Sequence, residues 1–229
     1  MNFEDKNFEV IRNLAKQVTF MTSTYSTDIA NKLLRFEPIK DKNEQKRWVI
    51  ARKQVLLSCQ LMTQIYNSLF RDDLLLSLIG LRVLTEEYIN TVYAFNHPDC
   101  SKGLTHTYSV CEDYFTRTNN NSHSKLHNKS LEIRAKEVNL LDPYNMDYRS
   151  LSSYIHGMPS GGKLINNLKL SKKYTSEGFV SNIMHAYNIS EVIREHFKIT
   201  QDSDLRDQIL SFEDTVDEFI KQLNKEENS

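Results

Sequence analysis

Arg149 and His156 stand seven residues apart in the stretch Tyr148-Arg-Ser-Leu-Ser-Ser-Tyr-Ile-His-Gly157. On an α-helix that spacing closes two turns to within about 20°, so both side chains share one stripe. Ser152 and Ser153 lie between them on the same stripe, while Tyr148, Leu151, Ile155 and Met158 form an apolar stripe opposite. An imidazole titrates near neutrality and can give or take a proton. A guanidinium is a permanent cation whose fork matches phosphate oxygens. With two hydroxyls added, this face suits a phosphodiester, and the chemistry needs no metal. The axial separation of about 10 Å is too long for ideal, rigid side chains to meet at one phosphorus, although the reach of Arg149 shortens it. A two-fold-related second copy relaxes the geometry and is a physical reason to expect a dimer. The competing reading is that Arg149 and His156 bond backbone carbonyls or an acidic neighbour inside a packed bundle.

The elements that must position this pair read as helices. Periodicity predicts one over 8–36, with Val10, Ile11, Leu14, Val18 and Met21 on one face and a Thr/Ser patch from Thr22 to Thr27 that bends or interrupts it. A second spans 43–70, basic at its start. Asp72 and Asp73 offer caps for a third over 73–96, which Asn96-His97-Pro98 ends. The pattern weakens from 100 to 130: a helix at 104–117, an Asn-rich loop, then a charged helix over 124–139. Asp142-Pro143 marks the start of the helix bearing Arg149, and Gly157, Pro159 and Gly161-Gly162 mark its stop. A connector of about ten residues holds Lys169, Lys172 and Lys173, placed to meet substrate if it folds back. Amphipathic helices at 175–197 and 202–225 follow. With no repeat, no Pro-rich linker and no strand-like alternation, the expected architecture is one all-α domain over 1–229, a bundle of six to eight helices. The first and last helices would serve packing or dimerisation.

The third helix carries a polar stripe, Arg82, Glu86 and Asn90, inside an apolar segment. It reads either as a solvated face with an ordinary Arg–Glu pair or as support for the site. In the second case Glu86 orients Arg149 or His156, or Arg82 adds a phosphate contact.

Arg, six residues, then His followed by Gly at a helix end resembles the motif of the HEPN superfamily (higher eukaryotes and prokaryotes nucleotide-binding domains). Leu81-Arg-Val-Leu-Thr-Glu86 followed by Tyr148-Arg-Ser-Leu-Ser-Ser-Tyr-Ile-His-Gly157 is similar to an uncharacterised bacterial family of that kind, over about 43–200. The resemblance implies a helical bundle that dimerises so that two Arg/His sets face one cleft. It implies a metal-independent endoribonuclease of toxin or antiviral-defence systems, with RNA as substrate and an antitoxin or companion defence protein as partner. Alternatively, it implies a non-catalytic adaptor that binds a nucleotide or a partner. His156 is then the general acid/base and Arg149 the phosphate clamp, with Ser152, Ser153, Glu86 and Arg82 in support. One subgroup carries Tyr two residues after the His and is silenced there by nucleotidyl transfer. Met158 stands at that position here, which puts such silencing in doubt.

Bulk properties narrow the field. The 229 residues carry a formal net charge of −1 and only 6 Gly and 4 Pro, so no global field draws nucleic acid and turn formers are few. Any nucleic-acid site must be local or built at an interface. Cys59, Cys100 and Cys111 form no paired framework, and no stretch reads as a signal peptide or membrane span, so a cytoplasmic protein is expected. His123 and His127, and the His97-Pro98-Asp99-Cys100 turn, lack a complete ligand set, so no metal and no cofactor is expected. Lys40, Lys42, Lys46, Arg47, Arg52 and Lys53 read as a solvated face anchored by Trp48, the alternative being contact with RNA phosphates and a stacked base. Ser160-Gly-Gly-Lys163 lacks the spacing and context of a phosphate loop.

Overall fold

The computed structural model describes residues 3–35, 41–97, 130–149, 151, 168–201 and 203–226. They form seven α-helices and one π-helical segment: α1 (Phe3–Leu33), α2 (Lys42–Phe70), α3 (Leu74–Asn96), α4 (Leu131–Glu137), α5 (Leu141–Pro143), the π segment (Tyr144–Arg149), α6 (Leu168–His196) and α7 (Leu205–Glu226). Among the described residues there is no strand, and the helices pack as a single all-α domain. The expected helix at 104–117, the Asn-rich loop, His123 and His127, Asp99, Cys100 and Lys40 lie outside the described residues.

Local chemistry explains the boundaries. Asp41 caps α2 by accepting from the Asn43 and Glu44 amides at 2.8 and 2.9 Å, and Asp73 caps α3 by accepting from the Leu76 amide at 3.2 Å. Ser130 does the same for α4 through Ile133. Three helix ends close through a left-handed residue, Asp72 (φ 57°), Asn139 (φ 58°) and Lys198 (φ 52°). The following amide then returns to the helix, as Asp73 N donates to Ser68 O at 2.9 Å.

The Thr/Ser patch does not interrupt α1. Thr22, Thr24 and Thr27 donate to the carbonyls of Val18, Phe20 and Ser23, so their hydroxyls are satisfied within the helix instead of competing with it. The three lysines expected in a connector of about ten residues are helical instead: α6 includes Leu168 onward, which puts Lys169, Lys172 and Lys173 on it.

Helix α2 packs on α1, α3 and α6; α6 packs on α1, α2, α3 and α7; α4 and the π segment pack on α3, and α5 packs on those two. Ile11, Ile29, Leu33, Ile50, Met62, Leu84, Phe179, Ile183 and Ile189 are almost wholly buried where the long helices meet. Phe8 stacks on Phe219 with centroids 6.1 Å apart, fastening α7 to α1. Trp48 donates its indole N–H to Leu33 O at 3.0 Å and carries the Arg52 guanidinium over its ring at 4.7 Å, so it is the anchor of the basic face of α2.

Helices α2 and α3 lie close at Gly80, where an added Cβ would lie 2.6 Å from Ile65 Cγ1. Ile65 is buried and cannot move aside freely. Gly80→Ala gains about 1 kcal/mol of helix propensity but overpacks the interface by about 1–3 kcal/mol. The expected outcome is a lower midpoint in urea-induced unfolding.

Candidate functional site

The π segment is where the sequence motif begins. Its i→i+5 winding is rare, and such turns are frequent at functional sites. Consecutive side chains leave it in three directions. Asp147 turns to α6, where its carboxylate meets His185 Nε2 at 2.8 Å and accepts from the Ser181 hydroxyl at 3.4 Å. Tyr148 turns to α3: its hydroxyl accepts from Arg82 Nη2 at 3.0 Å, the Arg82 guanidinium lies 4.8 Å from its ring centroid, and Tyr144 stacks on it at 5.5 Å. Arg149 is exposed and makes no hydrogen bond or ion pair among the described residues. Burial and Glu132 push the Tyr144 phenol up while Arg149 pulls it down, so the guanidinium charge sits within Coulomb reach of that ring.

Arg149 is the last residue of the π segment, and the stripe expected to run on from it to His156 falls, Leu151 apart, outside the described residues. Leu151 is buried, as its place on the apolar stripe requires. Ser152, Ser153 and His156 lie outside the described residues.

On α3 the polar stripe is half-buried to buried, not a solvated face. Arg82 is engaged by Tyr148, and Asn90, 5% exposed, accepts from Nη1 of Arg134 on α4. Arg134 is itself buried. Desolvation lowers its pKa, and the nearby carboxylates of Glu86 and Glu87 oppose that. Glu86 thus faces Arg134 electrostatically and forms no hydrogen bond or ion pair with Arg149. Of the three connector lysines, Lys172 is 8% exposed, with its ammonium 2.7 Å from Asp5 and its cation over the Phe8 ring at 6.0 Å. It fastens α6 to α1 and is not turned to solvent for a substrate. Lys173 lies 4.0 Å from Glu177, and Lys169 falls in the first turn of α6.

Sequence reasoning missed Asp147, His185, Ser181 and Arg134. His185 is 5% exposed, stacks on Tyr88 at 5.4 Å, and leaves Nδ1 without a partner among the described residues. The available signal was Ser181, Asn182 and His185, polar residues on a helix whose neighbours Phe179, Ile183 and Ala186 are all buried.

Beneath the π segment lies a cleft of about 480 Å³ walled by α2, α3, α6 and α7. Its apolar floor includes Leu69, Leu81, Val180 and Val216, and Asp147, Glu177, Glu213 and Asp217 supply carboxylates. Burial pushes the Glu177 carboxyl up; Asp217 and Asp147 add to this, against Lys173.

Fold and site together define an all-α, single-domain protein in which one π turn carries an exposed arginine and walls an acidic cleft. Comparison with protein-family models, curated proteins and solved structures finds no match. Among the described residues no helix is long and apolar enough to cross a membrane.

A carboxyl with a raised folded-state pKa costs stability wherever it is ionised, so the penalty grows as pH rises out of the acid range. Glu177→Gln is therefore expected to raise the melting temperature at about pH 7. The difference from the parent should shrink as pH falls toward about 4. The gain is small because Glu177 keeps 44% of its side chain exposed. Circular dichroism melts across pH check both signs.

Proposed function

We propose that the chain is a metal-independent endoribonuclease of HEPN type, a cytoplasmic homodimer serving bacterial antiviral defence or acting as a toxin held by an antitoxin or companion defence protein. The observation that carries this reading is the exposed Arg149 guanidinium, unpaired among the described residues at the end of a π-helical segment. It is available to a phosphate, beside the stacked Tyr144 and Tyr148 rings. The exposed apolar stripe Leu75, Leu76, Ile79 and Val83 on α3 supports self-association.

In this mechanism the RNA 2′-oxygen gives up its proton to an imidazole and bonds to the adjacent phosphorus. The 5′-oxygen leaves and takes a proton, giving a cyclic phosphate and a free 5′-hydroxyl. His156 moves the protons and Arg149 neutralises the phosphorane. Ser152, Ser153 and Arg82 add hydrogen bonds, Glu86 acts through Arg134, and Lys169 and Lys173 meet the RNA backbone.

One observation favours the second reading, a non-catalytic partner-binding adaptor: the cleft under the π segment carries carboxylates, the wrong sign for phosphate. The test is RNA cleavage by the purified full chain in EDTA, with the new ends analysed by mass. His156→Ala and Arg149→Ala should each cut the rate by at least about 100-fold with an unchanged melting temperature. Cleavage that survives His156→Ala rejects the nuclease. No cleavage, together with a partner whose affinity drops in Arg149→Ala, selects the adaptor.

A further inference from the structure

We propose that the cleft walled by α2, α3, the π segment, α6 and α7 binds a small organic cation, an ammonium or guanidinium joined to an apolar body. This does not rest on the nuclease reading. The size, about 480 Å³, lies in the range of clefts that enclose small molecules. Its floor, built by Ile65, Leu69, Leu81, Val180 and Val216, offers hydrocarbon to a hydrocarbon body. Four carboxylates reach it from three separate elements: Asp147 from the π segment, Glu177 from α6, and Glu213 with Asp217 from α7. No lysine, arginine or histidine is among the described residues that line it.

Among the described lining residues the charge balance is unfavourable. Asp147 has His185 and Ser181 as partners, but among the described residues Glu177 has only Lys173, and at 4.0 Å that contact is weak. Glu177 is half-buried and within Coulomb reach of both Asp147 and Asp217, which is why its carboxyl holds its proton more tightly than usual. A ligand cation relieves this repulsion and gains from the low dielectric of the floor. Among the described residues the carboxylates are not gathered as a metal-ligating group. The complementary cation is therefore one that brings its own apolar surface.

The experiment titrates the full chain with phenylpropylamine, its neutral analogue phenylpropanol and its anionic analogue phenylpropionate. Affinity is measured by calorimetry, and the Met146 methyl resonance, at the cleft wall, is followed by NMR after assignment with Met146→Leu. The amine should bind at least about tenfold more tightly than the alcohol, the carboxylate should not bind, and the Met146 methyl should shift only with the amine. Glu177→Gln and Asp217→Asn should each weaken the amine several-fold, and raised salt should weaken it further. Asp217 is exposed, so its substitution leaves the fold intact. Equal binding of amine and alcohol, no binding of the amine, or an affinity unchanged in both variants overturns the proposal. Binding of a lysine-rich peptide by a chain that ignores the free amine also overturns it, in favour of a protein partner.

Discussion

Helix α6 runs through the bundle against α1, α2, α3 and α7, so the polar groups on its sides must find partners in protein and not in water. Partners come from α1, α2 and the π segment. Lys172 meets Asp5, and Ser190 meets Ser26 at 2.8 Å, both on α1. Asn182 donates to the Met62 carbonyl of α2 at 2.9 Å, and His185 meets Asp147 of the π segment. A helix held only by hydrocarbon can slide or rotate by a turn at modest cost, whereas one keyed by buried polar contacts cannot without leaving several groups unpaired. The seating of α1, α2 and the π turn on α6 follows from that constraint.

The π segment turns this constraint into a site. Asp147 is held by α6 and Tyr148 by Arg82 of α3, and the widened winding between them leaves Arg149 facing water. The two sides of the segment therefore differ in charge. One presents a guanidinium, unpaired among the described residues, beside aromatic rings; the other walls a cleft lined with carboxylates. Charge is thus sorted over one short stretch, and the anionic ligand proposed for one side and the cationic ligand proposed for the other both rest on that sorting. The near-zero net charge of the whole chain conceals this.

Long-range polar contacts explain why the expected site was legible only in part. Arg82, Glu86 and Asn90 were visible as a stripe because helical spacing lies in the sequence itself. That the stripe is occupied by Arg134 and Tyr148, 44 and 66 residues away from their partners, was not visible. The same holds for Asp147 and His185, 38 residues apart and joined only by packing. Lys172 read as a surface lysine because its neighbours in sequence are polar, and the α1 carboxylate that claims it lies 167 residues away. The Thr/Ser patch misled for a local reason: hydroxyls that favour turns are equally content to bond the carbonyl four residues back once the helix is held by its apolar face.

Local information in the chain was sufficient for the all-α class, for the bounds of α2 and α3 to within a residue and for the cap at Asp73, while the Asp41 cap is just as local and was passed over. These depend on hydrogen bonds and apolar periodicity that close within a turn or two. It also singled out Arg149. Tertiary structure alone decided that Arg149 ends a π turn, that Lys172 and Arg134 are spent inside the bundle, and that carboxylates from three elements meet over one apolar floor. Those outcomes depend on which distant groups share a desolvated space, and short-range spacing carries no record of that.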